Sequence, residues 1–305
     1  IEWLSTQNWS NGNVGMFGIS WGGFNSIQMA MRNPPALKAF VAVMATEYLY
    51  EEDVHYIDGI MVAGDSWMMS NDLYNSLPGA PDFTMDEEWY ENRFDVEPSV
   101  YKYMRQQRDG PFWDRASAKN KYDLIKIPGY HIGGWYDGYR NSLPRMIENV
   151  SAPVKAMIGP WDHDFPHNAA LKPQVEWRHE AVRWFDQWLK QVDTGILEEP
   201  KFAVYIRDYH QPDDSIEYIP GYWRWENEWP PTDLSKQTFY GHDNHYLSPE
   251  KSKFVEHKLK NKPSIGLEGG GPTMWWGSIP PDQKPMDKDS LFYDSDTFDE
   301  SFEIL

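Results

Sequence analysis

One serine lies in a pattern that could make it a nucleophile. The pentapeptide Gly18-Ile19-Ser20-Trp21-Gly22 has the form G-x-S-x-G. In this pattern the serine sits on a tight turn from a strand to a helix, and the flanking glycines keep that turn free of clashes. The backbone N–H of Trp21 is then placed to donate to a developing oxyanion. For the pentapeptide alone, the alternative is a glycine-rich turn with an ordinary capping serine.

A serine hydroxyl is a weak nucleophile, so it needs a base, and the base needs an acid that orients it. After such a serine turn, the acid and the histidine follow later in the chain, in that order, each just past a strand. Asp137 follows one predicted strand and His163 follows the next. The sequence therefore predicts a triad of Ser20, Asp137 and His163. The main rival for the base is His167, four residues further on.

The elements that must position these residues alternate between apolar strands and amphipathic helices. Such alternation is typical of an α/β protein with a parallel sheet. The predicted strands are 14–19, 39–45, 125–134 and 154–158, and the predicted helices are 22–32, 139–149 and 181–192. Residues 1–45 and 123–196 are therefore predicted to form the catalytic core.

Residues 46–122 interrupt this alternation. They mix acidic and aromatic residues with methionines, and helices are predicted at about 52–74 and 97–108. We expect this segment to be a helical cap inserted into the core. The alternative is that these helices simply pack on the sheet.

Residues 197–305 differ from the core in their sequence pattern. They contain short aromatic runs separated by Pro, Gly, Asp and Asn, at 202–206, 222–225 and 239–240. Short strands with frequent turns predict a β-sandwich. The tryptophan-rich stretch 223–229 favours a packed core or a domain interface. A carbohydrate-stacking face is the alternative, and it would make the protein a non-catalytic binding module.

The composition excludes other kinds of site and partner. The 305 residues contain no cysteine, which excludes a disulfide scaffold, a thiolate nucleophile and a cysteine-ligated metal. His163 and His167 are four residues apart, but the sequence has no H-E-x-x-H zinc motif and Pro166 disfavours a helix there, so we expect no metal at this pair. The net charge of −19 disfavours nucleic acid and anionic membranes as partners. No apolar run approaches the roughly 18 residues of a membrane-spanning helix.

Four blocks of the sequence resemble the cocaine-esterase group of the X-Pro dipeptidyl-peptidase-like hydrolases. They are residues 11–24, Asp53-Val54-His55-Tyr56, Gly134-Trp135-Tyr136-Asp137-Gly138 and Gly159-Pro160-Trp161-Asp162-His163. The resemblance implies an α/β-hydrolase core, a helical cap and a C-terminal jelly roll. It also implies a triad of Ser20, Asp137 and His163, which cleaves small-molecule esters or amides through an acyl-enzyme without a cofactor. Members include esterases, acylases and X-Pro peptidases, and the block around Asp137 is more similar to the esterases.

The sequence departs from the family pattern at both ends. In this fold the nucleophile normally follows the fifth strand, which takes about 100 residues at usual element lengths, but only 19 residues precede Ser20. The second oxyanion donor, a tyrosine in this family, should lie upstream of residue 1, and the jelly roll ends early. We therefore expect an internal fragment that folds poorly and hydrolyses esters weakly by itself. Jelly-roll hydrolases often associate, so we consider a homo-oligomer plausible.

Overall fold

The computed structural model describes residues 1–62, 64–265, 282–301 and 303–304. Within this part of the chain, six strands form one central sheet, and two short strand pairs lie outside it. The strands are β1 (Val14–Ile19), β2 (Leu37–Val43), β3 (Tyr56–Ile57), β4 (Ile60–Met61), β5 (Gly129–Gly134), β6 (Val154–Gly159), β7 (Phe202–Arg207), β8 (Gly221–Glu226), β9 (Tyr240–Gly241) and β10 (Leu247–Ser248).

The central sheet has the strand order β1-β2-β5-β6-β7-β8. Its first five strands are parallel, whereas β8 is antiparallel to β7. Because parallel neighbours point the same way, the carboxyl ends of β1, β2, β5, β6 and β7 meet at one edge of the sheet. In open α/β sheets this edge is where ligands bind.

Helices fill the connections between these strands. They are α1 (Glu2–Ser5), α2 (Trp21–Arg32), α3 (Gly64–Asn75), α4 (Glu87–Trp89), α5 (Val100–Met104), α6 (Pro111–Asp114), α7 (Ser142–Asn149) and α8 (Arg178–Leu189). A π-helical turn covers Tyr90–Phe94, and 3₁₀ turns cover Tyr122–Leu124 and Lys284–Asp289.

The core lies on both faces of the sheet. Phe40 of β2 packs with Ile27 of α2 and Met146 of α7 on one face. The next residue, Val41, points to the opposite face and packs with Trp184 of α8. Successive side chains of a strand alternate in this way, so a sheet covered by helices on both sides needs continuous apolar strands. The result is a three-layer α/β arrangement, which confirms the predicted fold class of the core.

The predicted helix over 52–74 is corrected at its start. Residues 56–61 form the hairpin β3–β4, and α3 begins only at Gly64. The two-residue loop is Asp58-Gly59, with φ of 50° and 74°. Asp-Gly is favoured in two-residue hairpin loops because both positions need positive φ. The helix predicted over 97–108 is present as the shorter Val100–Met104.

Two of the aromatic runs from which a β-sandwich was predicted belong to the central sheet instead. Residues 202–207 and 221–226 are β7 and β8, and both extend the central sheet. An antiparallel edge strand alternates in burial like a sandwich strand, so sequence pattern alone does not distinguish them. A β-sandwich further along 197–305 stays a prediction. Of that region, residues 266–281, 302 and 305 lie outside the described residues.

An ion cluster ties the inserted segment 46–122 to the core. Arg145 of α7 lies with Nε 2.6 Å from Glu47 Oε1, and one of its terminal nitrogens lies 2.6 Å from Glu52 Oε2. Glu52 also accepts the backbone N–H of Asn141 at 2.9 Å. Burial raises the pKa of Glu52 to about 7, although Arg145 acts to lower it. The segment is therefore anchored beside the loop that follows β5.

Candidate active site

Ser20 lies on a strained turn between a strand and a helix. It follows the last residue of β1 and precedes Trp21, the first residue of α2, and its φ and ψ are 57° and −124°. Few residues other than glycine adopt positive φ, so the surroundings must hold this conformation. The Ser20 N–H donates to the carbonyls of Val43 and Met44 at 2.9 and 3.1 Å. The Ser20 carbonyl accepts the Phe24 N–H at 2.9 Å.

The glycines around Ser20 do not all have the same function. A Cβ on Gly18 would lie 2.5 Å from the carbonyl carbon of Gly22, and a Cβ on Gly23 would lie 2.7 Å from Cβ of Ala45. A Cβ on Gly22, in contrast, would have no neighbour within 4 Å. The expectation that both flanking positions need glycine is therefore corrected. Position 18 requires glycine because the backbone of α2 passes directly over it. The second position that requires glycine is 23, not 22.

Asp137 and His163 are in direct contact. Nδ1 of His163 lies 2.7 Å from Oδ1 of Asp137, and the two side chains are 11% and 1% exposed. An ionised carboxylate only accepts, so Nδ1 carries the proton and donates. Its other ring nitrogen, Nε2, is then the basic one. A nucleophile–base–acid triad requires the same contact between its acid and its base.

The three predicted residues follow strands that end at the same edge of the sheet. Ser20 follows β1, Asp137 follows β5 and His163 follows β6, with β2 between β1 and β5. Backbone bonds join the two loops on the acid–base side: Trp135 N–H donates to Gly159 and Tyr136 N–H to Trp161, at 2.9 and 3.0 Å. The structure thus pairs Asp137 with His163, and it positions Ser20 at the same edge.

The rival histidine has a different partner. His167 Nδ1 accepts the indole N–H of Trp177 at 3.0 Å. This bond occupies the nitrogen lone pair that a base would use. Its contact is with the start of α8, so His167 fits a packing role.

The sequence pattern assigns no role to Tyr139, which lies beside His163, or to Asp53, which Tyr139 contacts. The ring of Tyr139 lies edge-on to the His163 imidazole, with centroids 5.7 Å apart. Its hydroxyl donates to Oδ1 of Asp53, a buried carboxyl, at 3.2 Å. Burial raises the pKa of Asp53 to about 6, and His55 acts against this rise. The available signal was that Asp53 and Tyr139 lie in or next to the family-like blocks.

A cavity opens beside Trp21. It has a volume of about 450 Å³ and is bounded by Trp21 of the core and by His55, Asn71, Asn75 and Tyr103 of the inserted segment. The imidazole of His55 stacks on the Tyr103 ring with centroids 3.8 Å apart. The cavity adjoins the residue that follows Ser20, so a group held there would lie close to the nucleophile turn.

Across the described residues, no group of three or more His, Asp or Glu side chains is arranged to hold a metal ion. In the same part of the chain, no helix is both long enough and apolar enough to cross a bilayer.

The central sheet, the serine turn and the Asp–His pair define a protein of the α/β-hydrolase fold. The chain belongs to the X-Pro dipeptidyl-peptidase family (S15), whose sequence model matches residues 1–164. It is 24% identical over 278 residues to the cocaine esterase of Rhodococcus sp., a match that covers 79% of this chain and 46% of that protein. It is also 24% identical over 247 residues to the Xaa-Pro dipeptidyl-peptidase of Lactobacillus delbrueckii, covering 76% and 29%.

A solved structure supports the same fold. A CocE/NonD family hydrolase from Staphylococcus aureus superposes with a TM-score of 0.60 at 19% identity, covering 82% of this chain and 40% of that one. At this identity the likeness concerns the fold alone. The chain spans about half the length of the first curated relatives it matches, 46% and 56%.

Proposed function

We propose that this chain carries the catalytic centre of a serine hydrolase that cleaves ester or amide bonds through an acyl-enzyme. Ser20 Oγ attacks the carbonyl carbon of the substrate while His163 Nε2 takes the hydroxyl proton. The tetrahedral intermediate collapses, the bond to the leaving group breaks, and His163 returns the proton to that group. Water then attacks the carbonyl carbon of the acyl–Ser20 ester while His163 takes a proton from it. The bond between the acyl carbon and Ser20 Oγ breaks, His163 returns the proton to Ser20 Oγ, and the acid product leaves.

The observation that carries this proposal is the 2.7 Å contact between His163 and Asp137 at the sheet edge where Ser20 also lies. A buried carboxylate holds the imidazole in one tautomer and stabilises the imidazolium that forms during the reaction. A serine, a base and an oriented acid at one edge of a parallel sheet suit acyl transfer.

The negative oxygen of the intermediate needs donors. Trp21 is the first residue of α2, and the first N–H groups of a helix have no intrahelical acceptor. We propose its backbone N–H as one oxyanion donor. The positive end of the α2 dipole also stabilises the negative charge on this oxygen.

The cavity beside Trp21 is our candidate for the acyl pocket. Its walls come from the core and from residues 46–122, so the inserted segment serves as a cap that shapes the substrate site. Its amide and imidazole side chains favour an acyl group that carries hydrogen-bonding atoms besides its apolar part.

Labelling with a fluorophosphonate tests the proposal, since this reagent reacts with an activated serine. We expect peptide mapping of the full-length protein to find the label on Ser20. His163→Ala should abolish labelling, while His167→Ala, four residues away, should leave it unchanged. A folded protein that takes no label would overturn the proposal and favour a non-catalytic binding module.

An X-Pro peptidase is a second candidate, because the family model and several relatives carry that name. Such an enzyme must bind the free amine of its substrate. Turnover of X-Pro anilides in preference to phenyl esters would favour the peptidase, and the reverse preference would favour the esterase.

A further inference from the structure

His163 is held in the structure from more than one direction. Its Nδ1 contacts Asp137, and its ring meets Tyr139 edge-on, with 61° between the ring planes. One hydrogen bond fixes one atom of an imidazole, but it leaves the ring free to swing about that bond. An aromatic ring packed against the imidazole limits this swing, and the geometry lies within the favourable range for aromatic pairs.

Tyr139 and Asp137 belong to the same turn. Only Gly138 separates them, and the turn is pinned where the Asp137 N–H donates to Gly134 O at 3.1 Å and the Ser142 N–H to Tyr139 O at 3.2 Å. One short loop after β5 therefore supplies both the hydrogen-bond acceptor and the packing surface for His163.

Tyr139 is in turn anchored by Asp53 of the cap. Its side chain is buried, and its hydroxyl donates to Asp53 Oδ1 at 3.2 Å. The Asp53 carboxyl is fully enclosed, with a relative exposure of 1%. The Asp53 N–H also donates to the Tyr56 carbonyl at 2.9 Å. A residue of the cap thus holds the hydroxyl end of the ring whose edge meets His163.

We propose that Tyr139 is a positioning residue for His163 and that Asp53 acts through it, so that the cap helps to aim the base at Ser20. This inference rests on the proposed function, because it assigns His163 the role of base. The physical reason is that the reaction rate depends strongly on the position of the catalytic groups: a misplacement of about 1 Å can lower the rate about a hundredfold.

Four single variants and one double variant test the proposal in the full-length protein. Tyr139→Phe keeps the ring but loses the hydrogen bond to Asp53, so kcat should fall about tenfold with KM nearly unchanged. Tyr139→Leu also loses the ring, so kcat should fall about a hundredfold. Asp53→Ala should match Tyr139→Phe, and the double variant should be no worse than either single one. Asp53→Asn keeps an oxygen acceptor and should restore most of the rate.

Fluorophosphonate labelling separates positioning from folding. A folding defect lowers the fraction of molecules labelled, whereas a misplaced base lowers the rate constant of those that are labelled. Tyr205→Phe is the matched control, since it also removes a buried hydroxyl bond, to Ile219 O at 2.9 Å, but away from His163. It should leave the rate constant unchanged.

The outcomes distinguish the two proposals. If His163→Ala labels at the wild-type rate, the proposed function fails. If His163→Ala is inert but Tyr139→Phe labels at the wild-type rate, or only a smaller fraction is labelled, the positioning role is overturned and the proposed function stands.

Discussion

The two sides of the candidate active site lie in unlike parts of the sheet. Ser20 follows β1, an end strand on which no residue is buried and Phe17 is 63% exposed. Asp137 and His163 follow β5 and β6, interior strands whose residues are all buried. The acid–base side is therefore fixed by its own neighbours. The nucleophile side is fixed by α2 and β2, but the outer edge of β1 is unpaired in the described residues.

The opposite end of the sheet shows how an end strand is usually protected. β8 carries Arg224, which forms ion pairs with Glu226, Asp233 and Glu303. Charged side chains on an edge strand disfavour pairing with a further strand. β1, with the sequence Val-Gly-Met-Phe-Gly-Ile, has no charge at all. We infer that the edge of β1 is suited to pairing and that the edge of β8 is not.

The largest effect is expected from breaking either side of the site. Ser20→Ala and His163→Ala should each lower kcat of the full-length protein by about 10⁴-fold or more, because each removes a member of a unit that works only when complete. The double variant should be no slower than the worse single variant. Steady-state kinetics on a phenyl ester measure this, and multiplied losses would mean that the two sides act separately.

The serine turn should be sensitive at Gly18 and tolerant at Gly22. Gly18→Ala places a Cβ against the α2 backbone and should cost about 3 kcal/mol in the free energy of unfolding, as overpacking does. Gly22→Ala has free space and lies in a helix, where alanine is favoured by about 1 kcal/mol.

Urea denaturation of the two glycine variants is the measurement. Equal losses at both positions would contradict the idea that the helix backbone, passing over Gly18, is what demands glycine in this turn.

The sequence was sufficient to predict that the three candidate residues lie at one edge of the sheet. Ser20, Asp137 and His163 each follow an apolar strand, and strand ends of a parallel sheet share an edge. The contact of Tyr139 with Asp53 joins residues 86 apart in the chain, and no periodicity encodes it. The place of β7 and β8 in the central sheet also escaped prediction. β8 is an antiparallel edge strand, which has the same sequence pattern as a sandwich strand, and the short apolar run of the interior strand β7 fits either kind of sheet.

The anchoring of the acid–base side through Glu52 should depend on pH. Burial raises the pKa of Glu52 to about 7. Between an unfolded value of about 4.3 and that pKa, the native state keeps a proton that the unfolded chain releases. The free energy of unfolding therefore falls as the pH rises through this window, by on the order of 3 kcal/mol for this group.

Glu52→Gln removes this titration, so its stability should vary less between pH 4.5 and 7 than that of the wild type. The exposed Glu88→Gln is the control and should keep the wild-type slope. Denaturant titrations at a series of pH values measure both, and an unchanged slope in Glu52→Gln would remove Glu52 as the cause.

The smallest effect on stability should come from the two end strands themselves. Phe17→Lys on β1 and Trp225→Lys on β8 replace side chains of similar exposure, 63% and 58%, so each should alter the free energy of unfolding by only about 0.5 kcal/mol.

The effects of the two lysines on association should differ. A lysine on β1 adds the charge that this edge lacks, and residues 1–305 should then self-associate less in sedimentation experiments. β8 already carries charges, so Trp225→Lys should change little. Equal effects of the two lysines would mean that exposed apolar area, and not the unpaired backbone of β1, drives association.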